Sequence, residues 1–218
     1  MKTRQFQFEL TGGAACLDFA NTVDNRPSAE KRQDYLDSYA ALLRWSRQAG
    51  LLTKGEALEL QRAAARNERA RDAVFTRAIR LREAIFGAFS AIAHGRAPRA
   101  EDLESVNAEL RAGMSHTQIA ARDGEFSWQW QKDPIDLNSP LWRVVKSAAD
   151  LITSRQRKSV RECAADDCAW LFIDRSANQR RRWCDMKVCG NRAKARRYYL
   201  ASKAGARPTQ NKRTAILG

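Results

Sequence analysis

The sequence lacks the features that mark an exported or membrane-bound protein. No run of apolar residues approaches the length of about 20 that a transmembrane helix needs. The first ten residues alternate polar and apolar side chains, without the continuous apolar segment of a signal peptide. We therefore expect a cytoplasmic protein with no membrane partner.

The sequence is also poor in catalytic signatures. Its two histidines, His94 and His116, have no partner motif. The first 150 residues contain no His–carboxylate pair, no nucleophile elbow and no phosphate-binding loop. An enzyme housed in this part of the chain is therefore the weakest of three functional hypotheses considered below, and no catalytic residue is predicted.

Helical periodicity dominates the first half of the chain, which has no internal repeat. Phe6, Phe8 and Leu10 alternate as in a strand, and residues 14–23 are predicted to form a helix. Four more helices are predicted: one with Tyr35, Tyr39, Leu42 and Leu43, closed by Gly50; one capped by Thr53 with Glu56; one from Phe75 to His94; and one from Pro98 to Ala112, stopped by Gly113.

Near residue 119 the spacing of apolar residues changes from helical periodicity to the alternation typical of strands. Phe126, Trp128 and Trp130 alternate after Asp123-Gly124, which predicts a β-hairpin because both turn residues tolerate positive φ. The apolar spacing from Leu141 to Ile152, preceded by Ser139-Pro140, predicts an amphipathic helix. The sequence thus predicts a mainly α domain with a small β-hairpin (α+β), spanning residues 1–155.

Positive charge is concentrated at the end of the chain. The net charge is +14, and residues 153–218 hold 17 Lys/Arg against 5 Asp/Glu. The preceding residues are nearly neutral, so a basic module follows a neutral body. Such a module predicts a polyanionic partner. A solvated basic tail explains residues 204–218 equally well, but not residues 156–203, which also carry cysteines and aromatic residues.

Four cysteines lie in this module with the spacing C-x4-C-x15-C-x4-C: Cys163, Cys168, Cys184 and Cys189. Two close pairs favour one tetrahedral Zn²⁺ with four thiolates, a structural ion with no open position. Disulfides would need an oxidising compartment, a redox pair usually shows C-x-x-C, and no iron–sulfur spacing matches. Cys16 lies in an apolar helix and is interpreted as a buried thiol.

Basic residues surround the last two cysteines. The segment after Cys189 is predicted to form a helix that begins at the metal, with a basic stripe along one side. Guanidinium groups bind phosphates bidentately, and the N–H groups at a helix start add to the attraction. The candidate nucleic-acid contacts are Arg180, Arg181, Arg182, Asn191, Arg192, Lys194, Arg196 and Arg197. Asn191 and Arg192 either read base edges or brace the zinc loop, and Asn191 can also cap the helix.

Residues 189–192 spell CGNR. With Arg182-Trp183-Cys184 and the four spaced cysteines, this segment resembles the CGNR zinc-finger family. The resemblance implies a bacterial protein and a DNA-binding transcription regulator, associated with the nucleoid when bound. It covers about a quarter to a fifth of the chain.

Residues 10–23 resemble the opening of the helical ABATE domain, through the Gly-Gly pair and the Leu-Asp-Phe-x-Asn-Thr run. This resemblance implies a stress-induced transcription regulator. Asp18 and Asn21 lie on a polar stripe of the predicted helix, which is either a solvated face or the wall of a ligand pocket.

Together these features predict a regulator in three parts: a sensing or dimerising domain (1–155), a zinc finger (156–203) and a basic flexible tail (204–218). The expected partner is DNA, with few exposed aromatic residues favouring the duplex. The main alternative is an RNA- or ribosome-associated zinc protein. The sequence does not reveal an effector or the oligomeric state, although sequence-specific bacterial regulators are often homodimers.

Overall fold

The computed structural model describes residues 6–131 and 135–203. The predicted tail, residues 204–218, lies outside the described residues. Helices dominate, as the sequence predicts. They are α1 (Ala15–Ala20), α2 (Tyr39–Gln48), α3 (Lys54–Arg66), α4 (Glu68–Ala93), α5 (Ala100–Met114), α6 (Ser139–Thr153) and α7 (Asn191–Lys203). None of the helices within these ranges is long and apolar enough to cross a membrane.

Within the same ranges, six strands form three separate antiparallel pairs. They are β1 (Val23–Asp24) with β2 (Gln33–Asp34), β3 (Thr117–Arg122) with β4 (Glu125–Trp130), and β5 (Val160–Glu162) with β6 (Leu171–Ile173). The second pair is the predicted hairpin, and positive φ at Asp123 and Gly124 forms its turn. The fold is thus mainly α with small β-pairs.

Several helix boundaries follow the predicted signals. Thr53 and Glu56 form a reciprocal capping box at the start of α3. Gly50 and Gly95 adopt positive φ just after α2 and α4, where residues with a Cβ would be strained. In α6, Pro140 occupies the first turn as predicted, although the N-cap residue is Asn138 instead of Ser139.

Other boundary predictions are wrong for identifiable reasons. Phe6–Leu10 is not a strand, because the backbone of Phe8 bonds to the Gln48 side chain instead of to a partner strand. The first helix ends at Ala20 instead of Val23, because Val23 pairs with β2. Gly113 does not stop α5: it lies inside the helix, where a Cβ would sit 3.1 Å from the Cβ of Trp142. Tyr35 lies before α2, which Ser38 caps.

The main core forms where α1 and α4 meet α6, with α5 packed against α4 and α6. The two sides of β6 face different surroundings. Leu171 and Ile173 join the main core, whereas Phe172 packs with the four late cysteines. The cysteine-containing segment is therefore attached to the helical body through the β5–β6 pair, since Val160 of β5 also joins the main core.

Candidate metal centre and nucleic-acid surface

The four late cysteines converge from three short segments. Cys163 follows β5, Cys168 lies on the turn before β6, and Cys184 and Cys189 lie on the third segment, after β6. Cys189 sits in a wide helical turn, Met186–Gly190, whose start is fixed by Asp185: its Oδ1 accepts hydrogen bonds from the N–H groups of Lys187 and Val188. All four side chains are buried, although they are separated by up to 26 positions in the chain.

The sulfur positions fit one tetrahedral zinc ion. All four Sγ atoms lie within 4.8 Å of one another, and the Sγ atom of Cys184 is 3.6 Å from those of Cys168 and Cys189. Four sulfurs held about 2.3 Å from a central ion are about 3.8 Å apart. A disulfide would need a separation near 2.05 Å, and the cysteines are free.

One thiolate can form in this cluster without a cation, but ionisation of all four thiols together requires one. Hydrogen bonds from the Cys168 and Cys184 thiols lower the pKa of Cys163 to about 2. The pKa values of Cys168 and Cys184 are raised because each thiol donates a hydrogen bond to the Cys163 thiolate, and because burial disfavours a second negative charge. Only a bound cation stabilises four adjacent thiolates, which is the role that Zn²⁺ fills with this donor set.

Arg192 contacts the metal centre directly. Its guanidinium donates to the Sγ atom of Cys189 at 3.2 Å and lies 3.5 Å from an Asp167 carboxylate oxygen. The side-chain amide of Asn191 donates to the carbonyl of Lys187 at 2.8 Å and so ties the start of α7 to the preceding turn. These contacts are those expected of residues that brace the zinc loop, one of the two roles that the sequence leaves open.

The candidate basic residues fall into two groups. Arg181 is held inside the module: its guanidinium donates to the carbonyls of Trp183 and Cys184 and lies over the Phe172 ring. Arg196 pairs with Asp166 at the surface. The remaining group is exposed and has no ion-pair partner within residues 6–131 and 135–203: Arg180, Arg182, Lys194 and Arg197.

The zinc-binding segment contacts α1 through buried polar groups. The side-chain amide of Asn21 donates to the carbonyl of Leu171 and accepts from its N–H, both at 2.8 Å. The Trp170 indole donates to the carbonyl of Val23, and the N–H of Ile173 donates to that of Gly12. Asn21, predicted as a pocket residue, lines the same cavity as Asp18, but its side-chain amide is engaged by the backbone of Leu171.

Asp18, the other predicted pocket residue, lies on the wall of a cavity of about 130 Å³ between the N-terminal segment and the zinc module. Its Oδ1 accepts a hydrogen bond from the N–H of Gly12 at 2.7 Å. Burial raises the pKa of Asp18 to about 6, and the bond from Gly12 only partly offsets this effect. A Cβ on Gly12 would lie 2.8 Å from Leu17, so only glycine permits this close approach.

Sequence reasoning missed the acidic residues that organise the module. Asp174 is buried and accepts hydrogen bonds from Ser176 and from the N–H of Arg181. Asp166 and Asp167, between the first two cysteines, pair with α7. These residues could have been singled out from the sequence, because acidic residues are rare in this basic segment.

Comparisons with known proteins agree with this arrangement. Residues 13–155 match the model of the ABATE family, described as "Putative stress-induced transcription regulator". Residues 159–200 match the model of the CGNR zinc finger. Neither is an enzyme family. No curated protein matches the chain. The four-sulfur geometry and the zinc-finger match together assign one structural zinc ion to the four cysteines.

Proposed function

The chain belongs to the ABATE family, and from this premise we propose that it is a transcription regulator that binds duplex DNA through its zinc finger and α7. The zinc ion is structural in this proposal, since its four ligands leave no position for a substrate. The helical body would carry the sensing or dimerising role.

The observation that carries the proposal is the exposure of α7. None of the residues of this helix is buried, and it holds five Lys/Arg and no acidic residue. A short helix with no buried residue gains little from packing and is marginal alone. A polyanion laid along it would neutralise its charges and supply the missing contacts.

The start of α7 strengthens the attraction. Arg192 and Lys194 occupy its first turn, where the helix dipole is already positive and cations reduce helix stability. The same charges attract a phosphate, although the N–H of Asn191 is already bonded to the carbonyls of the preceding turn. The arrangement is therefore unfavourable for the isolated helix and favourable for a helix bound to nucleic acid.

We assign the phosphate contacts to the exposed group without ion-pair partners. Arg180 and Arg182 lie on the loop before Cys184, and Lys194 and Arg197 lie on α7. Arg181, Arg192 and Arg196 already contact protein groups, so we assign them mainly to the stability of the finger. Asn191 belongs with them.

The test is the salt dependence of DNA binding, measured by fluorescence anisotropy on the zinc-loaded full chain. Each neutralised phosphate contributes about 0.9 to the slope of log affinity against log salt. Alanine at Arg180, Arg182, Lys194 or Arg197 should therefore flatten the slope by about one unit each. Arg66→Ala, which removes an exposed cation from α3, is the matched control and should leave the slope unchanged.

Equal slopes for the wild type and all four variants would refute this assignment of the binding surface. Loss of affinity in Arg66→Ala as large as in the others would show that net charge, and not this surface, governs binding.

Tyr198 and Tyr199 favour a second candidate, binding of single-stranded RNA. Both are more than half exposed on α7, contrary to the expectation of few exposed aromatic residues, and exposed rings can stack on unpaired bases. Competition between duplex DNA and single-stranded RNA of equal length decides between the two. In the RNA case, leucine at both tyrosines should weaken RNA binding at least about tenfold.

A further inference from the structure

The cavity beside α1 lies between the two parts of the chain and is not used by the proposed DNA contacts. The N-terminal segment from Phe6 to Glu9 forms one wall, and Asp18, Asn21 and Thr22 form the floor. The zinc module forms the far side, which includes the zinc ligands Cys168, Cys184 and Cys189. Its volume of about 130 Å³ is close to that of engineered protein cavities that hold benzene. It therefore suits a small ligand.

Apart from the zinc ligands, most of the side chains that line the cavity are aromatic or acidic. The rings of Phe6 and Tyr35 stack at a centroid distance of 4.8 Å, and Phe8 meets Phe6 edge-on at 5.0 Å. Trp170 adds a fourth ring, oriented by its hydrogen bond to Val23. Aromatic faces attract cations through their quadrupole.

Four carboxylates line the same cavity, those of Glu9, Asp18, Asp24 and Asp185. Asp18 is the most enclosed, with 8% of its surface exposed. One of its oxygens accepts the Gly12 N–H, and within the described ranges its other oxygen has no hydrogen-bond partner and the carboxylate has no cation. A buried carboxylate without a counter-charge is costly, so this group provides a site for a cationic donor.

Among the described residues that line the cavity, Arg192 is the one with a basic side chain, and it forms no ion pair with these four carboxylates. Arg192 donates to Cys189 and lies beside Asp167. The cavity is thus acidic within a chain of net charge +14, which excludes the anions that the basic finger attracts.

We propose that this cavity binds a small organic cation, a protonated amine with an apolar body, whose ammonium group donates to Asp18 while its apolar part contacts the aromatic rings. The site is separate from the surface assigned to DNA. Its ligand affinity can therefore be measured without nucleic acid, and failure of one proposal leaves the other standing.

Three probes of similar size, each with one phenyl ring, test the proposal by isothermal titration calorimetry on the zinc-loaded full chain. Benzylamine carries the positive charge, benzyl alcohol is its neutral counterpart, and benzoate carries a negative charge. We expect benzylamine to bind at least about tenfold more tightly than benzyl alcohol, and benzoate not to bind. Equal affinities, tighter binding of benzoate, or no detectable benzylamine binding would overturn the proposal.

Asp18→Asn tests whether the Asp18 carboxylate binds the ammonium group. Asparagine removes the negative charge but keeps the size of the side chain and an oxygen that accepts from the N–H of Gly12. It should reduce benzylamine affinity at least about tenfold and leave benzyl alcohol unaffected. Asp123→Asn, at the exposed hairpin turn, is the control and should bind as the wild type does. Zinc content and circular dichroism check that each variant folds.

A second variant keeps the proposal testable if Asp18→Asn does not fold. Tyr35→Leu removes one aromatic face without touching a carboxylate and should weaken benzylamine several-fold. Wild-type benzylamine affinity in folded Asp18→Asn or in Tyr35→Leu would contradict the proposed site.

Discussion

At the residue scale, side chains that are not zinc ligands also hold the loops of the zinc finger in place. Arg192 bonds to a ligand sulfur, and Asn21 bonds to both backbone groups of Leu171. These contacts lie in buried or half-buried surroundings, where an unmade hydrogen bond costs more than at the surface. Single substitutions at such residues should therefore have measurable and distinct consequences.

Arg192→Ala should lower zinc retention. The guanidinium stabilises the Cys189 thiolate by a charge-assisted hydrogen bond, and outer contacts of this kind typically change metal affinity by about 10–100-fold. We expect faster zinc release to a chromogenic chelator, with specific and non-specific DNA affinity falling together. Lys194→Ala is the control and should retain zinc as the wild type does. A zinc-replete Arg192→Ala protein that loses only specific binding would instead assign this residue to base recognition.

Asn21→Ala should destabilise the whole chain. It leaves the N–H and C=O of buried Leu171 without partners, at a cost of about 2–5 kcal/mol for the pair. Chemical denaturation followed by circular dichroism measures the loss. Asn107→Ala, on the exposed side of α5, should change the unfolding free energy by less than about 0.5 kcal/mol. An equally small effect at Asn21 would mean that water or a shifted backbone replaces its bonds.

At the scale of elements, glycines show how closely the helices approach. Gly87 in α4 faces Asp102 in α5, and a Cβ there would lie 2.5 Å from a carboxylate oxygen. Asp102 cannot easily move, because Arg99 holds both of its oxygens at 2.9 Å. At Gly55 in α3, by contrast, an added Cβ would have its nearest neighbouring atom at 3.9 Å, an ordinary contact distance.

The two glycines therefore predict opposite effects of the same substitution. Gly87→Ala should force α4 and α5 apart and destabilise the fold by about 1–3 kcal/mol. Gly55→Ala should be neutral or stabilise it by up to about 1 kcal/mol, because alanine restricts the unfolded chain and favours a helix. Thermal unfolding of both variants checks this pair. Stabilisation by both substitutions would show that helix propensity, and not packing, dominates at Gly87.

At the scale of the whole molecule, the finger and the helical body share a core that includes residues of both β5 and β6. Leu171 and Ile173 of β6 lie in the body's core, and Val160 of β5 joins them. Phe172, between them, packs on the cysteine side. The boundary predicted at residue 155 stays a prediction, but the shared core means that the stability of one part depends on the other.

Zinc removal should therefore weaken the helical body as well as the finger. If β6 loses its anchorage, Leu171 and Ile173 leave the core, at about 1.5–3 kcal/mol each. For a chain of this length each kcal/mol shifts the midpoint by about 2–4 °C, so a fall of at least about 6 °C is expected. Far-ultraviolet circular dichroism with and without chelator measures it, and added zinc should restore the midpoint. An unchanged helical transition would show two independent units.

Local signals were sufficient for much of this protein. The capping box at Thr53 and the turn at Asp123-Gly124 were readable in the sequence because each depends on residues a few positions apart. The metal site was readable because its ligands come as two close cysteine pairs. The charge concentrated near the end of the chain likewise required only counting. From these features followed the fold class, the zinc ligands and the basic helix.

Tertiary structure decided the features that depend on distant partners. The segment from Phe6 to Leu10 has the alternation of a strand, but strand formation requires a partner, and Gln48 takes the backbone of Phe8. The charge count could not distinguish Arg181, held by backbone carbonyls, from exposed Arg180. The pairing of Asn21 with Leu171 and the cavity beside Asp18 join residues about 150 positions apart. No local pattern encodes such contacts, because they form only when the whole chain folds.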